Sequence, residues 1–271
     1  MYELPKAIFG FTNLKKLNIY SGTIYRIPDG IENLKNLESL IILNNRIYDI
    51  PKGIGELENL RDLHLQFNQI SEIPKEIGNL KKLVILDLSV NEITEIPKEI
   101  GNLENLNYLN IRYNPITKIP KEIGNLKNLD SLNLSISHYS ELPKEIGNLE
   151  KLRELDLSNS KITELPEEIG NLKNLVDLRI TNTNLTKFPK GIEKMENLEI
   201  LYLNDNKIDD ELPESYNNLT KLDDFEVKGN INVKGKILTL DNLTHCIYDV
   251  NYELCKPEPV NCAKEYNFSS C

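Results

Sequence analysis

Apolar residues recur along most of the chain at a fixed spacing. Leu60, Leu63 and Leu65 are followed by Ile70, Ile73, Ile77 and Leu80, and the same order returns with Leu83, Leu86, Leu88, Ile93, Ile96, Ile100 and Leu103. Leucines two apart, such as Leu63 and Leu65, point to one face of a short strand. The three- and four-residue steps through Ile73, Ile77, Leu80 and Leu83 predict a short helical turn, 3₁₀ in character. Each unit therefore predicts one strand, a turn and a return stretch. A lone unit of this kind cannot bury its apolar face, whereas stacked units share one core and pair their strands in parallel.

The prolines set the period. Pro5, Pro28, Pro51, Pro74, Pro97, Pro120, Pro143, Pro166 and Pro189 recur at one constant interval, and Pro213 arrives one position late. Units such as those from Leu60 and Leu83 read L-x-x-L-x-L-x-x-N-x-I, with Pro-x-x-Ile-Gly-Asn-Leu in the middle units. Over about ten successive units, roughly residues 3 to 233, this resembles the leucine-rich-repeat family, in its 23-residue plant-type and microbial form. The resemblance implies an α/β repeat solenoid: a right-handed superhelix with a concave parallel β-sheet and convex short helical or 3₁₀ turns. It also implies a non-catalytic job, since such arrays are commonly receptor ectodomains, inhibitors or adaptors.

Two repeated residues carry mechanical expectations. Asn45, Asn68, Asn91, Asn114, Asn206 and Asn230 recur where the chain leaves the strand. A carboxamide can both donate to and accept from backbone groups there, and the family builds a buried ladder from such residues. Ser137, Ser160 and Thr183 break that column, which predicts a local change in curvature or a bound water. Gly78 could signal a positive φ, but Glu32 and Glu193 occupy its register, which argues against a left-handed backbone.

The net charge of −10 argues against nucleic acid as partner. No apolar run is long enough for direct membrane insertion. All four cysteines, Cys246, Cys255, Cys262 and Cys271, cluster at the C-terminal end, and none precedes Cys246. Their number and clustering predict two disulfides, and their spacing leaves three connectivities open. They point to an extracellular or cell-surface setting, although the start at Met1 has no signal-peptide character. The reading divides the chain into a solenoid over residues 1–238, with an N-terminal end that looks truncated, and a cysteine-containing C-terminal cap over 239–271.

In the family, the variable positions around the inward leucines face outward on the concave side. Here they include Ile41, Leu43, His64, Phe67, Ile85, Val90, Tyr108, Arg112, Tyr113 and Ile136. Phe67, Val90, Tyr113 and Ile136 form a column, one per repeat, an apolar stripe expected to meet a partner. The plainer explanation is that β-branched and aromatic residues simply suit strands. Farther along, Glu154, Asp156, Asp177, Asp205, Asp224 and Glu226 make the wall acidic, which favours solubility and would steer a basic partner.

No enzymatic constellation is present. The three histidines, His64, His138 and His245, fall in widely separated repeats, and no phosphate loop, zinc-protease motif or nucleophile elbow occurs. No cofactor and no metal site are expected. Sequons occur at Asn133, Asn184, Asn218, Asn242 and Asn267; Asn242 and Asn267, in the cap region, are the glycosylation candidates. The expected function is a non-catalytic scaffold binding another protein. A surface-receptor ectodomain recognising a carbohydrate or other non-protein ligand is the alternative.

Overall fold

The computed structural model describes residues 3–249, 251–256, 262 and 269–271, and the chain divides into two compact units, Met1–His138 and Tyr139–Cys271. The repeat produces the expected solenoid: parallel strands alternating with 3₁₀ turns. In the first unit the strands are β1 (Lys16–Tyr20), β2 (Ser39–Leu43), β3 (Asp62–His64), β4 (Ile85–Asp87), β5 (Tyr108–Asn110) and β6 (Ser131–Asn133). They pair in parallel, in sequence order, with equivalent residues of successive repeats side by side: Leu63 lies beside Leu86, and Ile85 beside Tyr108.

The inward positions account for the core. Leu63, Leu65, Ile70, Ile77 and Leu80 of one repeat are fully buried, as are their equivalents in the next. Each such side chain contributes about 1.5–3 kcal/mol of burial energy. Pro74, with φ −67°, precedes the 3₁₀ helix Lys75–Asn79. Its missing donor costs nothing at a position where an N–H would have no helical partner. Gly78 is absent from the positive-φ positions and serves close approach instead. A Cβ there would stand 2.6 Å from the Glu99 carbonyl oxygen of the next repeat.

Asparagines lock the turns. Asn91 Oδ1 accepts from Ile70 N–H (3.0 Å), and its Nδ2 donates to the carbonyls of Leu65 and Leu88 (3.1 and 3.0 Å). Asn68 and Asn114 repeat these bonds one unit on either side. A second, exposed ladder escaped the sequence reading. Asn36, Asn59, Asn105 and Asn128 donate to carbonyls one repeat back. Where Lys82 takes that register, its ammonium donates to Asn59 Oδ1 (2.7 Å).

In the second unit β7 (Glu154–Asp156), β8 (Asp177–Arg179), β9 (Ile200–Tyr202), β11 (Asp224–Glu226) and β13 (His245–Ile247) form one parallel sheet. β10 (Asp209–Glu211), β12 (Asn232–Lys236), β14 (Glu253–Lys256) and β15 (Ser269–Ser270) form another. The amide ladder is thinner here. Ser160 Oγ donates to Leu157 O (2.8 Å), and Thr183 N–H and Oγ1 both donate to Asn206 Oδ1. The cysteines pair as Cys246–Cys262 and Cys255–Cys271, which settles the connectivity left open by spacing. Each bridge spans a sequence separation of 16 residues, worth about 3 kcal/mol through lost chain entropy in the unfolded state.

Candidate partner interface

In the first unit, alternation along the strands sorts the outward residues into columns. Ser39, Asp62, Ile85, Tyr108 and Ser131 are in register, and so are Ile41, His64, Asp87, Asn110 and Asn133. Polar members of these columns are held by neighbouring groups. Asp87 Oδ1 accepts from Ser89 N–H and Oγ (2.9 and 2.7 Å), and Asn133 Oδ1 accepts from Ser135 N–H and Oγ (3.0 and 2.6 Å). Asn110 Nδ2 donates to Tyr108 Oη (3.2 Å), and Arg112 N–H donates to Asn110 Oδ1 (3.2 Å). The floor of the face is thereby pinned by its own hydrogen bonds.

The apolar column stands beyond this floor. Phe67, Tyr113 and Ile136 are 50%, 56% and 39% exposed, and Val90 is half-buried. Their backbones are adjacent: Phe67 N–H donates to Ser89 O, Val90 N–H to Arg112 O and Tyr113 N–H to Ser135 O. Arg112 is exposed beside Tyr113, while Ile41, Leu43, His64, Ile85 and Tyr108 are half-buried. All the anticipated interface residues belong to the first unit, and none is in the core.

One expectation is corrected. The sequence implies strand positions for the column, but β3 ends at His64, β4 at Asp87 and β5 at Asn110. Phe67, Val90, Tyr113 and Ile136 instead occupy the left-handed region, with φ of 59°, 56°, 58° and 56°. In that region Cβ crowds the following carbonyl oxygen, and a β-branched residue there is a true outlier. The cost is about 1–2 kcal/mol per residue. Strand propensity therefore cannot explain Val90 and Ile136, because neither is in a strand conformation. The sequence held a signal for this backbone. Asn44, Asn159, Asn182, Asp205 and Gly229 fill the same register elsewhere, all at positive φ, and these residue types tolerate it best.

The outward face of the second unit is polar and charged. Arg179 grips Asp177 through Nε and Nη2 (2.8–3.1 Å) and lies 5.2 Å from the Tyr202 ring centroid. Tyr202 donates its hydroxyl to Asp224 Oδ2 at 2.6 Å. That bond, with partial burial and the charges of Asp224 and Glu226, pushes the phenol up to about 12. Of the glycan candidates, Asn242 is exposed and its Nδ2 donates to Thr220 O (2.7 Å). Asn267 lies outside the described residues. Among the described residues no helix is long and apolar enough to cross a membrane.

Comparison with known proteins gives one family throughout. The model for the leucine-rich repeat region matches residues 50–137, 98–154 and 131–228, and a second leucine-rich-repeat model matches 12–70. No curated protein sequence matches significantly. Among solved structures, a plant peptide hormone receptor in complex with RGF2 is 30% identical over 94% of this chain and 42% of its own, with a TM-score of 0.83. A leucine-rich-repeat protein of Leptospira interrogans is 32% identical over 94% of this chain and 76% of its own, with a TM-score of 0.63. The Arabidopsis receptor kinase HAESA, solved with the peptide hormone IDA and a co-receptor, is 30% identical over 90% of this chain and 43% of its own, with a TM-score of 0.74. The chain spans less than half the length of the two plant receptors.

Proposed function

The chain belongs to the leucine-rich-repeat family, and from that premise we propose that it is a non-catalytic scaffold. Its first unit captures a peptide or protein segment carrying apolar side chains. The observation that carries this reading is the column Phe67, Val90, Tyr113 and Ile136. Four large apolar residues stand side by side, three exposed and Val90 half-buried, in a backbone conformation that disfavours two of them outright. Stability alone would place Asn or Gly there, as other repeats do. Exposed contiguous apolar surface marks an interaction site, and Tyr beside Arg112 fits the composition of binding hot spots. The pinned floor keeps the face preorganised, which lowers the entropy lost on binding. The similar plant receptors are solved with peptide hormones, which supports a peptide as the class of ligand.

The two disulfides support an extracellular setting, and there Asn242 is the glycan acceptor. Residues 239–271 act as the cap that shields the end of the core.

A peptide library displayed on phage, selected against the immobilised chain, tests the reading. The selected peptides should be rich in aromatic and aliphatic side chains. Their affinity should fall at least about 30-fold for Phe67→Ala with Tyr113→Ala, as for a truncated hot spot of about 2 kcal/mol, with the melting temperature retained. Selected peptides that bind the double variant as well as the wild type would refute the interface. Glycan-array hits lost in the same variant, without peptide hits, would assign the face to carbohydrate.

A further inference from the structure

We propose that Asp224, Glu226 and His245 form a binding site for a divalent transition-metal cation that accepts mixed nitrogen and oxygen ligands, zinc above all. The site lies within the second unit and is separate from the apolar column. Asp224 and Glu226 are two residues apart on β11, so they share its outward face. β13 pairs in register with β11 and sets His245 directly beside Asp224. The three ligand atoms lie within 4.8 Å of one another. His245 Nε2 is 3.4 Å from Glu226 Oε1 and 3.8 Å from Asp224 Oδ1. Ligands around a tetrahedral zinc with bonds of about 2.0–2.1 Å are separated by about 3.3–3.4 Å, so a small inward movement of His245, which is exposed, completes the set.

Two further features favour a cation over a chance cluster. Each carboxylate has its other oxygen held from outside: Tyr202 Oη donates to Asp224 Oδ2, and Asn204 Nδ2 donates to Glu226 Oε2. Such outer bonds are what orient metal-binding carboxylates. In addition, Asp224 Oδ1 is shielded from solvent and receives no hydrogen bond. A shielded carboxylate oxygen without a donor is costly, and a cation at this point satisfies it. Arg179, across the Tyr202 ring, is already engaged with Asp177. Calcium and magnesium prefer all-oxygen sets, whereas an imidazole suits zinc and its neighbours. Three protein ligands leave a fourth position on the solvent side for water or for a donor atom of a partner.

Spacing along the chain concealed the site, since Asp224 and His245 belong to successive turns of the solenoid and form no local motif. Titration calorimetry of the whole chain with zinc chloride should show one site that calcium and magnesium chloride do not fill. His245→Ala should abolish uptake, and Asp224→Asn and Tyr202→Phe should each weaken it at least about 10-fold. His138→Ala should leave it unchanged. Circular dichroism of each variant separates lost binding from lost folding, and His245→Ala, at an exposed position, is the decisive one. Zinc uptake that persists in folded His245→Ala, absent uptake by the wild type, or equal uptake of calcium would overturn the proposal.

Discussion

The same backbone position is filled in opposite ways in four repeats of the first unit and throughout the second. At the turn leaving the strand, the first unit places Ser21 and Asn44 and then Phe67, Val90, Tyr113 and Ile136 in the left-handed region, and the second places Asn159, Asn182, Asp205 and Gly229 there. In the second unit the residues follow the backbone: small, polar or glycine, as sterics prefer. In the first, the four residues from Phe67 to Ile136 oppose it, while Ser21 and Asn44 do not. Because φ is nearly equal in both, differing from 48° to 59° among the non-glycine residues, the contrast cannot come from geometry. It has to come from what the side chains do beyond the backbone, which is the physical basis for proposing the interface in the first unit.

The strongest way to break this comparison is to erase it. Replacing Phe67, Val90, Tyr113 and Ile136 together by Asn should reduce affinity for selected peptides at least about 100-fold, as expected when a hot-spot cluster is lost. The same variant should be more stable, by roughly 1 kcal/mol for each β-branched residue removed. The reciprocal change, Asn182→Val, should destabilise by about 1 kcal/mol in denaturant unfolding. A column variant that loses both affinity and stability would mean these side chains pack the fold.

A second contrast is the amide ladder, which is continuous through Asn45, Asn68, Asn91 and Asn114, gives way to Ser137, Ser160 and Thr183, and resumes at Asn206 and Asn230. Asn114→Ser would copy the thinner form into the first unit. It removes the acceptor of Ile93 N–H and the donor to Leu88 O and Ile111 O. With these groups buried, the expected loss is about 2 kcal/mol, with faster hydrogen exchange at Ile93. An unchanged exchange rate would show that a hydroxyl suffices there.

The smallest effect is a titration. Tyr202 donates to Asp224, so its folded-state pKa, about 12, lies above the ordinary value of 10.0. A raised value means that the folded chain holds the proton more tightly. The resulting stability is fully present below pH 10 and is lost as pH rises toward 12. Burial also pushes the Tyr139 and Tyr216 phenols well up. Near-ultraviolet titration should show Tyr202 ionising late, and Tyr139 and Tyr216 ionising only as the fold is lost. In Tyr202→Phe the alkaline decline in stability should be shallower; an identical decline would deny the hydrogen bond its role.

The repeat made the fold legible without coordinates. A constant period with leucines two apart allows few arrangements, and the inward leucines, the proline-led 3₁₀ turns and the buried asparagines all follow from burying one apolar face per unit. The sequence also named which residues of successive repeats become neighbours, because equal steps along the chain become equal steps in register. It did not reveal the backbone state of Phe67 and its column, since Phe, Val, Tyr and Ile read locally as strand residues. Only the stacked fold, with N–H groups tied to the next repeat, holds them at positive φ. Disulfide pairing and the meeting of His245 with Asp224 and Glu226 were likewise decided by tertiary structure. Both depend on distances across strands and loops that spacing alone does not specify.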